Sequence, residues 1–177
     1  MPGFRHHLQL AQQLVDEHRA QRKGRWRPSA VRLSGGARHE DVAFVRCGDV
    51  CPGDVWQLHD GQLTRFSPPA EWPNARVSAL LPDADGSVWV GTLGNGLLRL
   101  ANGRFQRATL QQGLPHNSIT QLLTDDAGSL WCGTYAGIVR ISKPELLAVL
   151  NGQRERVTCS VYGRFDGLPS QAYSGWY

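Results

Sequence analysis

His39, Cys47, Cys51 and His59 form the one stretch of the chain rich in metal-ligating residue types. Seven residues separate each His from the nearer Cys, and three separate the two cysteines. A zinc site needs four such groups converging at about 2.0–2.3 Å, and its ligand pairs follow recognisable spacings. This spacing is not one of them, so the cysteines read as incidental and no metal site is expected. In an exported protein Cys47 and Cys51 would be the pair to consider for a disulfide. Cys132 lies in an apolar run, and Cys159 in another, Val157 to Tyr162; both read as small core hydrophobes. His116, beside Asn117, could act as a general base or a ligand if a loop presented it. A solvated loop histidine is the plainer reading. Asp83, Asp125 and Asp126 could hold a hard cation, but their spacing is not that of a calcium loop, and turn capping accounts for them. Arg19, Arg22, Lys23, Arg25 and Arg27, with Trp26 among them, could touch nucleic acid. A solvated linker explains them better. No catalytic residue and no cofactor is expected from these patterns, and the binding residues stay unassigned.

The elements that would position such groups come from a repeat. Val77 to Thr92 and Ile119 to Thr134 align at a constant offset of 42 residues. Leu80 and Leu81 match Leu122 and Leu123, Asp83 matches Asp125, Gly86-Ser87 matches Gly128-Ser129, Trp89 matches Trp131, and Gly91-Thr92 matches Gly133-Thr134. Residues 96–100 then answer residues 137–141 after one residue is dropped. A partial copy lies upstream, where residues 56–63 parallel 98–105. Another begins downstream, where Gly167-Leu168-Pro169 echoes Gly113-Leu114-Pro115 at an offset of 54. The lengthened offset reflects an insertion at residues 143–151. Its leucines sit at helical spacing, with Pro144 suited to a first turn and Gly152 to the end.

Each copy divides into four short strands, in the clearest case near residues 77–82, 87–92, 96–101 and 103–108. Asp-x-x-Gly and Asn-Gly turns separate them, and Asn-Gly is the chemistry of a two-residue hairpin. Four antiparallel strands in some forty residues is the size of a β-propeller blade. Leu80 and Leu81 must point to opposite faces, as must Leu97 and Leu98. Such a sheet is stable only when covered on both sides, as a blade is. Trp89 and Trp131 are expected between blades, with Gly91 and Gly133 letting another backbone come close. The fold class is therefore all-β, a partial propeller of four-stranded antiparallel blades. It has an N-terminal helix, from apolar spacing over residues 5–22, and one inserted helix. The divisions are an N-terminal helix and basic linker (1–40), a degenerate partial blade (41–76), a blade (77–118), a blade with the insertion (119–166) and the start of a further blade (167–177). A ring closes with at least about four blades. The partners expected are therefore missing blades or further copies of the chain.

Composition agrees. Twenty Gly, ten Pro and six Trp in 177 residues indicate many turns and short pleated elements. The net charge of +4 resides in residues 1–50, while residues 51–177 hold equal numbers of acidic and basic groups. A neutral repeat region argues against a surface that tracks phosphates, so no nucleic-acid partner is expected. No run of about 18 apolar residues exists, so no membrane span is expected in this chain. The first residues lack the apolar centre of a secretory signal, which for a complete chain implies the cytoplasm.

Gly113-Leu114-Pro115-His116-Asn117-Ser118-Ile119, the run from Asp125 to Thr134 and Gly137-Ile138-Val139-Arg140 resemble the two-component regulator propeller repeat. The likeness is specific over residues 77–142 and weaker over about 55–170. The resemblance implies a bacterial sensor region outside the inner membrane, ahead of a membrane span and a kinase or other output domain. It implies recognition of a small solute such as a carbohydrate, and it supplies no fixed catalytic residues. This chain carries no kinase motif and no output domain, so a fragment of a longer receptor is expected. The expected function is a non-catalytic ligand-sensing or interaction module. Two alternatives are a propeller lyase, which needs convergent His or Glu groups where only His116 is available, and a self-assembling structural module.

Overall fold

The computed structural model describes residues 42–46, 54–59, 62–72 and 76–167. The N-terminal helix, the basic linker, His39, Cys47, Cys51 and the start of the further blade beyond Gly167 lie outside these residues. Of His59 only the backbone is described.

Three antiparallel sheets follow one another along the chain. The first contains β1 (Val42–Arg46), β2 (Val55–His59) and β3 (Gln62–Phe66), paired in that order. The second contains β4 (Arg76–Pro82), β5 (Val88–Leu93), β6 (Leu97–Ala101) and β7 (Arg104–Ala108), again in order. The third contains β8 (Ile119–Thr124), β9 (Ser129–Thr134), β10 (Gly137–Ser142) and β11 (Cys159–Tyr162). The helix α1 (Lys143–Leu150) interrupts the third sheet between β10 and β11. The repeat therefore specifies one meander per copy, because each hairpin turn returns the chain beside the strand it has just left. The same irregularity recurs too: the β4–β5 register shifts between Val77 and Ala79, and the β8–β9 register between Ile119 and Gln121.

Side-chain alternation divides the core into two layers. Val77, Leu80, Val88, Val90, Leu98 and Leu100 face the first sheet, packing with Val55, Phe66 and Trp72. Trp89 and Leu97 point the other way and meet Ile119, Leu122, Leu130, Cys132 and Val139 of the third sheet, with Leu81 packed alongside. Leu80 and Leu81 do oppose each other, and so do Leu97 and Leu98. The second sheet is thus apolar on both faces because both faces are covered.

Trp89 fills the space between blades, with 1% of its surface exposed. Trp131 is only half-buried and stacks on Tyr162 of its own sheet, with ring centroids 5.7 Å apart. Gly91 admits a close neighbour, but that neighbour is a side chain and not a backbone. A Cβ there would lie 3.0 Å from Cγ2 of Ile119, the first residue of the next blade.

The inserted helix braces the two full blades. Leu146 is fully buried, and Val149 nearly so, in the layer between the second and third sheets. Lys143 Nζ lies 3.0 Å from Asp83 of the second sheet. At the other end, Gln106 Nε2 of β7 donates to the carbonyl of Leu150 at 3.1 Å and to Asn151 Oδ1 at 3.0 Å. The chain then descends through Val157, whose N–H donates to the Gln112 carbonyl at 2.8 Å. No helix among the described residues is long and apolar enough to cross a membrane.

Candidate functional site

The meander sorts the loops into two ends. At one end lie the Asp83–Gly86 and Asp125–Gly128 turns and the start of α1. Here the repeat signature explains itself. The indole N–H of Trp89 donates to Asp83 Oδ2 at 2.7 Å, and that of Trp131 donates to Asp125 Oδ2 at 2.7 Å. The Asp-x-x-Gly turn thereby holds the Trp six residues on. A serine and an arginine complete each unit: Arg99 Nε to Ser87 Oγ at 3.2 Å, and Arg140 Nε to Ser129 Oγ at 2.9 Å. The guanidinium of each Arg lies over the indole, 5.8 Å and 5.6 Å from the ring centroid.

Burial alone would push the Asp83 carboxyl up. Hydrogen bonds from Trp89, Lys143 and the Ala84 N–H outweigh it and hold the group below the usual carboxylate range. The same balance lowers Asp85, through Ser87 and Arg99. Asp125 is lowered chiefly by the Trp131 indole and the Ser129 N–H. Asp83 and Asp125 therefore cap turns, as the sequence suggested, and anchor tryptophans as well. Their oxygens are already used, and Asp126 is exposed. Among the described residues no three His, Cys, Asp or Glu side chains converge on a metal position.

At the opposite end lie the β5–β6 turn (residues 93–96), the crossover between blades (109–118) and the β9–β10 turn (134–137). These eighteen positions carry no Asp, Glu, Lys or Arg, while the turn after β11 (163–167), whose Gly163 lies beside Gly137, brings Arg164 and Asp166 to the same end. The crossover is rigid. Thr109 caps a 3-10 turn, Leu110–Gln112, and Gly113 closes it at φ 97, where a Cβ would fall 2.5 Å from the Val157 carbonyl. Asn117 ties it to its neighbours. Its carbonyl accepts from Gly96 N–H at 2.8 Å and Gly94 N–H at 3.2 Å, and its Oδ1 accepts from Leu110 N–H at 2.9 Å. The buried hydroxyls of Thr92 and Thr134 hold the two turns by donating to the Gly96 and Gly137 carbonyls at 2.7 and 2.8 Å. This gives the Gly-Thr of the repeat its purpose.

His116 is set on this rim. Its Nδ1 accepts the Ser118 N–H at 2.8 Å, and its ring meets Tyr135 edge-on with centroids 5.5 Å apart. A nitrogen that already accepts a backbone proton is not free to take one from a substrate. Tyr135 is 46% exposed beside it. The patch so formed around His116, Tyr135 and Asn117 is aromatic and amide-bearing, and hydrogen bonds hold its backbone in place. Sequence reasoning named His116 but missed Tyr135, because the matching position in the previous blade is in a Gly-Asn-Gly turn and no repeat signal marks it.

Cys132 lies where the repeat places it, at the Val90 position, and burial pushes its thiol well above the ordinary range. Cys159 is half-buried, its sulfur 3.6 Å from the Gly113 carbonyl, and burial together with the Glu145 charge pushes it up to about 11. Both thiols are free, and burial disfavours the thiolate form through which a cysteine reacts.

Residues 71–94 and 113–136 match the two component regulator propeller family. No curated protein matches the chain in sequence. Among solved structures, virginiamycin B lyase from Staphylococcus aureus is similar at a TM-score of 0.55 and 18% identity, covering 80% of this chain and 41% of the lyase. An inactive form of that lyase with quinupristin gives 0.49 and 12% identity, covering 68% and 38%. The extracellular domain of a protein described as a one component system from B. thetaiotaomicron gives 0.40 and 15% identity, covering 73% and 22%. The chain spans less than half the length of each of these proteins. The first likeness shows the propeller fold and nothing finer.

Proposed function

From a chain that carries two repeats of the two component regulator propeller type, we propose a ligand-sensing module that recognises a small neutral solute without transforming it. The observation that carries the reading is the aromatic, amide-bearing patch around Tyr135 and His116. A recognition surface for a polyhydroxylated solute needs aromatic area and amide hydrogen bonds in fixed positions, not a poised base. Tyr135 supplies the first, Asn95, Gln111 and Asn117 the second, and the Asn117 bonds the rigidity. The engagement of His116 Nδ1 by the backbone weighs against a general base there. The site of action we propose is outside the inner membrane, within a longer receptor whose output the bound solute biases.

Titration with a panel of neutral oligosaccharides, followed by calorimetry and by mass spectrometry of the recovered sugar, tests this. The expected result is saturable binding, weakened about tenfold or more in Tyr135→Ala, with the sugar recovered intact. A cleaved or eliminated product would instead favour the lyase reading. Binding indifferent to Tyr135→Ala would remove the rim from the site.

A further inference from the structure

The chain leaves both full blades through turns built alike. After β7, Thr109 N–H is held by Gln112 Oε1 at 3.0 Å, a 3-10 turn of Leu110–Gln112 follows, and Gly113 ends it at φ 97. After β11, Gly163 N–H is held by Asp166 Oδ2 at 2.8 Å, a 3-10 turn of Arg164–Asp166 follows, and Gly167 ends it at φ 88. Position by position, Leu110 answers Arg164 and Gln111 answers Phe165. Phe165 is wholly exposed, on a backbone that the cap and the left-handed glycine hold fixed. Gln111 is exposed as well, although the blade that follows it is in place, so blade stacking does not cover this position.

One exposed phenylalanine alone would need no explanation. This one has company. Of the five large hydrophobics exposed among the described residues, three, Leu110, Tyr135 and Phe165, collect at the crossover end. The second exit turn also reaches the Tyr135 turn directly: a Cβ on Gly137 would lie 3.6 Å from Gly163 Cα. Tyr135 and Phe165 each stand two residues from that approach, so each Cα is within about 7 Å of it. The two rings share one surface but ride on different turns. Exposed Arg164 and Asp166 flank the second ring in the chain.

We infer that Phe165 is a second stacking platform of the site around Tyr135, and that the ligand is an oligosaccharide laid across both turns rather than a single sugar ring. This rests on the solute-sensing reading above. A sugar ring presents a face of C–H groups edged by hydroxyls. Phe165 takes the face, and the Arg164 guanidinium and the Asp166 oxygen not used by Gly163 take the hydroxyls. A protein partner is a poorer occupant. Two aromatic rings and a leucine offer on the order of a few hundred Å² of contact, against about 800 Å² per partner in a stable interface.

Calorimetric titration with cello-, xylo- and malto-oligosaccharide ladders, from monosaccharide to hexasaccharide, tests this on the wild type, Phe165→Ala, Phe165→Tyr and Tyr135→Ala. The wild type is expected to bind the hexasaccharide of one ladder about tenfold or more tighter than its monosaccharide. Phe165→Ala should abolish that advantage of length, and Phe165→Tyr, which keeps the ring, should retain it. Both variants should keep Tm within about 2 °C of the wild type, because the ring packs on nothing. A wild type indifferent to length, or a length advantage that Phe165→Ala leaves intact, would overturn the second platform; the sensing reading would stand so long as Tyr135→Ala still weakens binding. No binding of any ladder would overturn both. A dimer that Phe165→Ala dissociates would assign the ring to a second copy of the chain, and would equally overturn the proposal.

Discussion

Asp83→Ala should be far more damaging than its repeat equivalent Asp125→Ala, although the two residues occupy the same place in the same motif. Asp83 accepts from the Trp89 indole at 2.7 Å and from Lys143 Nζ at 3.0 Å, and the Trp89 ring is 1% exposed. Removing the carboxylate leaves a buried indole N–H without its acceptor, at about 1–3 kcal/mol. It also removes the ion pair that joins α1 to the second sheet. Both charged side chains are about four-fifths shielded, with 16% and 20% exposed, so about 1 kcal/mol is a fair allowance. The total is about 3 kcal/mol, or about 6–12 °C in Tm for a chain of this size. Trp131 is only half-buried, and water can reach the site its carboxylate vacates, so Asp125→Ala should give a distinctly smaller shift. Thermal unfolding followed by circular dichroism measures both. Equal losses would refute the argument that interblade burial, and not the motif itself, sets the energy.

The same carboxylate carries a pH arm. Its folded pKa is lowered, so its contribution is fully present above the ordinary Asp value of about 3.9 and is lost as pH falls through the lower folded value. The Tm of the wild type should drop below about pH 4 more steeply than that of Asp83→Asn.

Three further outcomes are expected. Leu146→Ala should cost about 2–5 kcal/mol, since the side chain is fully buried between α1 and the sheets; urea denaturation gives the value, and a cost under about 1 kcal/mol would mean the helix does not brace the blades. Gly96→Ala should destabilise well beyond Gly86→Ala: both glycines have positive φ, but a Cβ at Gly96 would lie 2.1 Å from the Ala108 carbonyl, while Gly86 has open space, so the latter should cost only about 1 kcal/mol. Cys132→Val should change stability by less than about 1.5 kcal/mol, because the site is an apolar slot that its repeat partner Val90 already fills with that side chain.

The sequence determined what a local period and a turn can determine. The 42-residue offset, the Asn-Gly and Asp-x-x-Gly turns and the paired leucines set the meander, its strands and its two apolar faces. Pro144 and Gly152 bounded the inserted helix to within a residue of Lys143–Leu150. These features were legible because each depends on backbone geometry within a few residues. What the tertiary structure decided is which equal residues are unequal. Trp89 and Trp131 are one residue type in one motif, yet a neighbouring blade buries the first and leaves the second stacked on Tyr162. Lys143 lies sixty residues from Asp83 and has no counterpart in the other copy, so no period could announce their bond. Tyr135 and His116 meet because two different loops arrive at one end of the stack. A repeat sequence encodes each blade almost identically; the energy and the chemistry of a residue depend on which blade lies beside it, and only the packing of one sheet on the next supplies that.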